Sequence, residues 1–468
     1  MTRNSDLTRR RFIQGLTAAA ASGMLAGVSG SANGATTYTG KFLINLQLTG
    51  GLDVTSFGDP KTNVDGKRVI NNWAKTASTL QAGNIPYAPF AANQKFFEKY
   101  YRDILLINGV DAQTNSHTVG VLHNWSGRNS EGFPTLTALF AGVKQTDLPM
   151  PYLSFGGFRA TGDVVPVTQL GKLSVLQNLL EPTVAETSKK IYMPDSDWQR
   201  IVAMHTAGVT ARSQSAATLE GARQLEQQYV DSLKHSDSIS DFADILPATS
   251  ELQPARRAVN VNSTLHQQLQ ISLLAFKAGM SLSADVFENG FDTHDAEDTR
   301  LTPLLGNVTD AIDYMWTYSA QLGIADRIVL VMGSDFGRTP FYNASDGKDH
   351  WPICSVMVMQ QNASFTNRVV GLTDSGHNAM KINAKTLKAD STGLILKPAH
   401  VHKALRKQLV EDQKLDAVIS LPGGVFKPYA GVSTAILCFT KTNSGGTDFV
   451  WFYDVDADEL AELLFPED

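Results

Sequence analysis

Cysteine is scarce in this chain of 468 residues, which contains only Cys354 and Cys438. A small secreted scaffold held together by several disulfides is therefore excluded. Both cysteines lie in apolar runs that are typical of strands, which favours buried free thiols. A single disulfide between them stays open, because sequence alone does not give the distance between two side chains.

Basic residues and long apolar runs are also in short supply. Forty Lys and Arg stand against 46 Asp and Glu, a formal net charge of −6, and no basic block follows the first dozen residues. Nucleic acids are recognised through clustered positive charge, so we expect no nucleic-acid partner. No segment is long and apolar enough to predict a membrane span. The 43% of hydrophobic residues is still enough for a sizeable core.

The first 35 residues are predicted to be an export signal and not part of the fold. Thr8-Arg-Arg-Arg-Phe-Ile-Gln14 follows the twin-arginine pattern, and a short, weakly apolar, Ala- and Gly-rich segment runs from Gly15 to Val28. Such a segment is too short to cross a bilayer. Twin-arginine signals are addresses read by an export machinery. We therefore expect the mature protein in the periplasm or outside the cell.

The rest of the chain alternates apolar runs with helical segments. Buried strands are predicted at Lys41–Leu48, Asp103–Asn108, Met280–Phe287 and from Ile328, with a helix at Leu304–Leu322. This alternation predicts an α/β fold with a doubly wound, mostly parallel sheet.

Three regions complete the predicted organisation. The main domain spans residues 36–430 and carries a helical insertion at about 187–280. Residues 431–468 form a C-terminal hairpin and an acidic tail, because strand-like runs at Thr434–Phe439 and Phe449–Tyr453 flank the turn signal Asn443-Ser-Gly-Gly-Thr447.

Side chains that bind metals or anions follow the predicted strands. In open α/β sheets, ligands bind beyond the carboxyl ends of the strands, where residues distant in sequence meet. Asp and His together suit zinc or another divalent first-row metal. The candidates are Asp53, Ser116 with His117, Asp292 with His294, Asp335 with Arg338, and Asp349 with His350.

The ordered motifs resemble an uncharacterised bacterial family of twin-arginine-exported proteins that is similar to alkaline phosphatases and sulfatases. The resemblance runs from about Lys41 to Leu409. The motifs are Leu48-Thr-Gly-Gly-Leu-Asp53, Ser116-His117, Gly290-Phe-Asp-Thr-His294, Ser334-Asp-Phe-Gly-Arg-Thr-Pro340 and Asp349-His350-Trp351.

The resemblance implies a three-layer α/β/α sandwich of the alkaline phosphatase type with one or two divalent metal ions. In such proteins a nucleophile attacks a phosphate or sulfate ester while the metal neutralises charge. The implied metal ligands are Asp53, Asp292, His294, Asp335, Asp349 and His350. Ser116 would lie in the nucleophile region, with Thr114 and Thr118 as alternatives. Arg338 would bind the substrate anion through its planar guanidinium.

The chain departs from the wider superfamily at specific positions. Phe336 stands where those enzymes usually have a histidine after the strand-end aspartate, the spacing from Asp292 to His294 is shorter than usual, and no Cys-x-Pro-x-Arg sulfatase signature is present. The first interpretation is an exported metal-dependent hydrolase acting on a small anionic ester or an envelope-derived substrate. The alternative, which Phe336 favours, is a noncatalytic exported binding or envelope-assembly protein on the same fold.

Overall fold

The structure, a computed structural model, describes residues 38–144, 148–171, 183–184, 190–213, 246, 251–258, 261–410, 414–421, 434–440 and 451–454. The predicted signal at residues 1–35, residues 214–245 and 247–250 of the insertion predicted at about 187–280, and the acidic tail lie outside these ranges. The chain divides into two compact units, residues 1–401 and residues 402–468.

The first unit contains most of the described strands and helices. The strands are β1 (Phe42–Leu48), β2 (Leu80–Ala82), β3 (Ile85–Tyr87), β4 (Ile104–Asp111), β5 (Tyr152–Ser154), β6 (Val167–Gln169), β7 (Arg256–Ala258), β8 (Val261–Ser263), β9 (Ser283–Glu288), β10 (Ile328–Ser334), β11 (Gly337–Arg338), β12 (His350–Trp351), β13 (Ile353–Gln360) and β14 (Arg368–Val370). The helices are α1 (Asn93–Tyr100), α2 (His117–Ser126), α3 (Leu136–Lys144), α4 (Asp195–Ser213), α5 (Leu265–Lys277) and α6 (Glu297–Gln321), and α7 (Pro398–Val410) follows.

Eight strands of the first unit form one sheet in the order β14-β4-β13-β10-β1-β9-β5-β6. Only β13 runs against its neighbours; the remaining pairs are parallel. The strands that follow β1 in the chain lie on both sides of it in the sheet, so the connections run in both directions. Because crossovers between parallel strands are right-handed, winding in both directions places connections on both faces of the sheet. The predicted mostly parallel, doubly wound α/β sheet is confirmed.

The central strands are apolar because both faces of the sheet are covered. All seven residues of β1 and all seven of β10 are buried, as expected for parallel strands between two layers. The strands β10, β1 and β9 are parallel neighbours, so their carboxyl ends lie at the same edge. This edge carries the segments that bear the candidate side chains.

The second unit has its own small sheet. Strand β15 (Lys414–Leu421) lies between β16 (Thr434–Thr440) and β17 (Trp451–Asp454), antiparallel to the first and parallel to the second. The predicted hairpin between the last two strands is therefore wrong, because β15 separates them. The division after Val401 also falls earlier than the predicted boundary at residue 430, since β15 belongs with the tail.

Among the helices of the described residues, none has both the length and the apolar character that a membrane crossing requires.

Candidate metal centre

Two glycines allow the segments after β1 and β9 to touch. Gly50 and Gly51 have backbone φ angles of +121° and +103°. Residues other than glycine rarely adopt such angles, because their Cβ atom would clash with the backbone. A Cβ on Gly50 would lie 2.3 Å from the backbone nitrogen of Asp292, and one on Gly51 would lie 2.9 Å from the ring of Phe336. The Gly-Gly pair thus brings the loop bearing Asp292 against the loop after β10.

Four side chains from three segments meet at this edge of the sheet. Ligand atoms of His117, Asp292 and His350 all lie within 4.8 Å of one another. Asp292 Oδ1 is 3.7 Å from His117 Nε2 and 3.2 Å from His350 Nε2. His294 completes the group, because its Nε2 lies 3.1 Å from Asp292 Oδ1 and 3.0 Å from His350 Nε2. We call these four residues the His/Asp cluster.

Each histidine of the cluster has an oxygen acceptor at its other ring nitrogen. His117 Nδ1 lies 2.7 Å from Asp335 Oδ2, and His294 Nδ1 lies 2.8 Å from Asp349 Oδ1. His350 Nδ1 lies 2.8 Å from the carbonyl oxygen of Asn115. These acceptors favour the proton on Nδ1 and leave the Nε2 lone pair free. Metal-binding histidines are held in this way, by a carboxylate or carbonyl at the second nitrogen.

The spacing of the cluster fits a small divalent ion. Zinc binds histidine nitrogen and carboxylate oxygen at about 2.0–2.1 Å, so neighbouring ligand atoms of a tetrahedral site are about 3.3 Å apart. The three contacts of Asp292 Oδ1 with histidine Nε2 atoms measure 3.1, 3.2 and 3.7 Å, and the Nε2 atoms of His294 and His350 lie 3.0 Å apart. A possible metal site made of His and Asp side chains is therefore present, on donors that suit a first-row metal.

Arg338 keeps Asp292 ionised and in place. Partial burial would raise the pKa of Asp292, but the hydrogen bond and charge of Arg338, with contacts from His350 and His294, outweigh burial and lower the pKa to about 2. Arg338 Nη2 donates to Asp292 Oδ1 at 2.6 Å. The cluster therefore has one permanent negative charge at neutral pH.

The predicted anion-binding role of Arg338 does not fit its position. The side chain is fully buried. Its Nε donates to the carbonyl oxygen of Gly51 and its Nη1 to that of Lys348. Its Nη2 donates to the carbonyl oxygens of Gly50 and Phe291 as well as to Asp292. Arg338 thus joins the loops of the site and positions Asp292, with no donor directed at solvent to meet a substrate.

The other predicted ligands separate into two groups. Asp292, His294 and His350 come together in the cluster, whereas Asp335 and Asp349 lie behind the rings of His117 and His294. Asp335 is buried, and its Oδ2 also accepts from the backbone N–H of Gly50 at 3.1 Å.

Asp53 lies apart from the cluster. It is fully buried, and its Oδ2 accepts a hydrogen bond from Lys348 Nζ at 2.7 Å. The ammonium of Lys348 therefore takes the contact that sequence reasoning assigned to a metal ion.

Phe336 packs against the cluster. Its ring centroid lies 4.8 Å from that of His117 and 4.5 Å from that of His350, and the side chain is fully buried. A Cβ on Gly120 would lie 2.5 Å from the carbonyl oxygen of Asp335 and 3.1 Å from this ring, so Gly120 leaves room for both. Phe336 thus supports two histidine rings from a position where the superfamily resemblance implies a ligand.

Ser116 lies beside the cluster at the start of α2. It is exposed and its hydroxyl makes no capping hydrogen bond. Its chain neighbours both contribute to the site, Asn115 through its carbonyl and His117 through its ring. His117 is a sequence candidate beside Ser116, but it is absent from the metal ligands that the family resemblance implies. The available signal was its place after β4, at the same edge as the other ligands.

The family described as "Protein of unknown function (DUF1501)" matches residues 41–376. The chain belongs to this family. The matched residues include every member of the His/Asp cluster and end before the second unit begins. The site is thus contained within the family's own region.

A different family matches the end of the chain. The description "N-6 DNA Methylase" matches residues 390–462. The type I restriction enzyme EcoEI methylase subunit of Escherichia coli is 36% identical over 83 residues. That stretch is 18% of this chain, and the chain spans about 15% of the length of this curated relative.

Solved structures similar to the chain are distant from it. An alkaline phosphatase from the Antarctic bacterium TAB5 matches with a TM-score of 0.33 and 9% identity, over 80% of this chain and 99% of that one. The PsFucS1 sulfatase from Pseudoalteromonas sp. matches with a TM-score of 0.30 and 9% identity, over 94% and 87%.

Proposed function

We propose that the first unit is a metal-dependent hydrolase of a phosphate or sulfate ester, and that the protein is exported by the twin-arginine route. The observation that carries the proposal is that the Nε2 atoms of three histidines lie within 3.7 Å of one carboxylate oxygen, while an oxygen holds each ring at Nδ1. His117, Asp292 and His350 would hold the ion, with His294 as a fourth ligand. This donor set suits zinc or a similar first-row ion.

A bound divalent ion would supply Lewis acidity toward an ester oxygen and positive charge near the transferring group. The protein's own residues do the positioning. Asp335 and Asp349 fix the orientation of His117 and His294, and Arg338 fixes Asp292. Preorganised ligands of this kind need no rearrangement when the substrate arrives.

Substrate would meet the start of helix α2. The first N–H groups of a helix lack intrahelical partners and attract anions. Ser116 precedes this helix and has an exposed hydroxyl. Ser116 is therefore the nucleophile in this proposal. Thr118, which is also exposed and lies in the first turn of the helix, is the alternative.

A noncatalytic binding protein is the second candidate, and two observations favour it. Phe336 fills space beside His117 and His350 with an apolar ring. Arg338 is fully buried and already bonded. A protein that binds a metal only to shape a surface would show both features.

Metal analysis separates the proposals from a site without metal. We expect close to one zinc or other first-row ion per chain in protein prepared without chelators. Asp292→Ala and His350→Ala should each remove most of it, because each deletes a ligand. His205→Ala is the matched control, since His205 is an exposed histidine in α4. Metal-free wild-type protein, or metal retained in both ligand variants, would contradict the site.

Turnover then separates the hydrolase from the binding protein. The metal-loaded protein is assayed with aryl phosphate, phosphodiester and aryl sulfate esters. Ser116→Ala should retain metal and lose turnover, while Thr118→Ala should retain both. Full metal occupancy without turnover of any of these esters would favour the binding protein. For export, Arg9→Lys with Arg10→Lys should keep the precursor in the cytoplasm; unchanged export would refute the twin-arginine assignment.

A further inference from the structure

Lys348 is a buried cation with a complete set of oxygen partners. Its side chain is fully buried. Its Nζ donates to Asp53 Oδ2 at 2.7 Å, to Asn71 Oδ1 at 2.9 Å and to Thr55 Oγ1 at 3.2 Å. An ammonium group has three N–H donors, so all three are used. The chain thus surrounds one positive charge with a carboxylate, an amide and a hydroxyl oxygen.

A second carboxyl group lies in the same buried region without a firm partner. Glu297 is fully buried, and neither of its carboxyl oxygens has a well-formed hydrogen bond among the described residues, although the Thr293 hydroxyl lies close enough to favour ionisation slightly. Burial and the neighbouring Asp53 carboxylate raise the pKa of Glu297 to about 8. Native structures rarely leave a buried carboxyl unsatisfied, so this one calls for a physical reason.

We propose that Asp53, Thr55, Asn71 and Glu297 form a divalent-cation site whose ion is replaced by the ammonium of Lys348. The acceptors are all oxygen atoms, which is the ligand chemistry of Mg²⁺, Mn²⁺ and Ca²⁺ and differs from that of the His/Asp cluster. The first unit would therefore hold one exchangeable metal and one cation built into the chain.

The charges of the region support this assignment. Burial alone would raise the pKa of Asp53, but the charge of Lys348 and its hydrogen bond outweigh burial and lower it. Asp53 therefore stays ionised, and its charge is neutralised by Lys348. A monovalent ammonium cannot neutralise two carboxylates at once, and burial together with the charge of Asp53 keeps the pKa of Glu297 raised despite the nearby ammonium. A divalent ion in the same place would neutralise both.

Removing the ammonium should reopen the site. Lys348→Ala leaves Asp53, Thr55 and Asn71 around a space that the lysine side chain filled, with the buried Glu297 carboxyl close enough to interact electrostatically with Asp53. We expect this variant to bind one more Mn²⁺ per chain than the wild type, measured by elemental analysis after dialysis. We also expect Mg²⁺ or Mn²⁺ to raise its melting temperature by about 5 °C when the ion is at about 100 times its Kd. If the variant folds only when one of these ions is present, the yield of folded protein is the readout.

Lys348→Met is the matched control. Methionine also lacks the charge but fills much of the space with an apolar chain, so this variant should gain neither an ion nor a cation-dependent melting shift. The proposal is overturned if Lys348→Ala shows no additional ion and no response of melting or folding yield to Mg²⁺ and Mn²⁺. A response of equal size in Lys348→Met would overturn it as well.

The test is independent of the proposed hydrolase. It measures the difference in bound ions between variant and wild type, whereas the hydrolase proposal depends on the ion content of the wild type. A wild-type protein without metal would refute the metal site at the His/Asp cluster. The additional ion expected in Lys348→Ala could still be measured against that wild type.

Discussion

The carboxylates behind the histidines give a sharp test of the metal centre. Asp335→Asn and Asp349→Asn make the same chemical change at equivalent places, each behind the Nδ1 of one cluster histidine. An Asn amide oxygen can stay where the carboxylate oxygen was, so each variant removes charge and keeps shape. The surroundings differ, since the side chain of Asp335 is 2% exposed and that of Asp349 is 54% exposed.

The difference in exposure sets the expected magnitudes. Losing a carboxylate behind a metal-binding histidine typically costs 10- to 100-fold in metal affinity, or about 1.4 to 2.7 kcal/mol. Asp335 is shielded from water, so we expect Asp335→Asn to fall in this range. Water and salt screen the exposed pair, whose contribution is at most about 1 kcal/mol, or roughly 5-fold.

The assay is a competition titration of zinc against a chromophoric chelator at one fixed pH. Circular dichroism of the metal-free proteins checks that both variants keep the fold. Equal losses in the two variants, or a larger loss in Asp349→Asn, would refute the inference that the two carboxylates act by holding the histidine rings. A change of less than about 2-fold in Asp335→Asn would refute it too.

Three further predictions concern stability and reactivity. Burial raises the pKa of Glu288 to about 7, because its effect is larger than that of the hydrogen bonds from Ser263 and Asn307, which lower the pKa. The protonated Glu288 contributes its full stability below about pH 4.5, and this stability is lost as the pH rises through 7. The change in the free energy of unfolding is about 3 kcal/mol. Urea unfolding with chelator present should therefore show a flatter pH dependence in Glu288→Gln than in the wild type, and parallel curves would contradict this. Phe336→Ala should lower the free energy of unfolding by about 3 to 5 kcal/mol and weaken metal binding, because it opens a cavity beside two cluster histidines. A smaller loss of stability with unchanged metal affinity would show that the ring is dispensable. Burial raises the pKa of the Cys354 thiol to about 12, so peptide mapping should find it unalkylated at pH 8 until the protein is unfolded, and alkylation of the folded protein would contradict its burial.

The central part of the fold could be predicted because its signal is local. Continuous apolar runs predicted β1 and β10, and the carboxyl ends of parallel neighbours lie at one edge, near which Asp292, His294 and His350 come together. The second unit was harder to predict. A glycine turn suggested a hairpin, but β15 lies between the two strands, and turn chemistry alone cannot exclude an intervening strand.

The roles of the polar residues depend on how deeply each side chain is buried, and the sequence does not give this burial. Asp53 and Asp292 both follow central strands, yet Asp53 is fully buried and Asp292 is half exposed. Lys348, which neutralises Asp53, is distant in sequence and looks like an ordinary loop residue before Asp349. The planar guanidinium of Arg338 suggests anion binding in the sequence, but in the structure it donates to backbone carbonyl oxygens. Strand-end position therefore identified the region of the site, and burial decided which residues face it.

The main chain of Lys348 explains why a side chain rather than an ion fits this position. Its N–H donates to the carbonyl oxygen of Thr293 at 3.0 Å, and its carbonyl accepts from Arg338 Nη1 at 3.0 Å. Asp349 and His350 follow directly, one holding His294 and the other a member of the cluster. The buried ammonium therefore anchors the segment that carries these two residues. A free ion could neutralise Asp53 equally well, but only a residue of this segment can neutralise it and hold the segment in place.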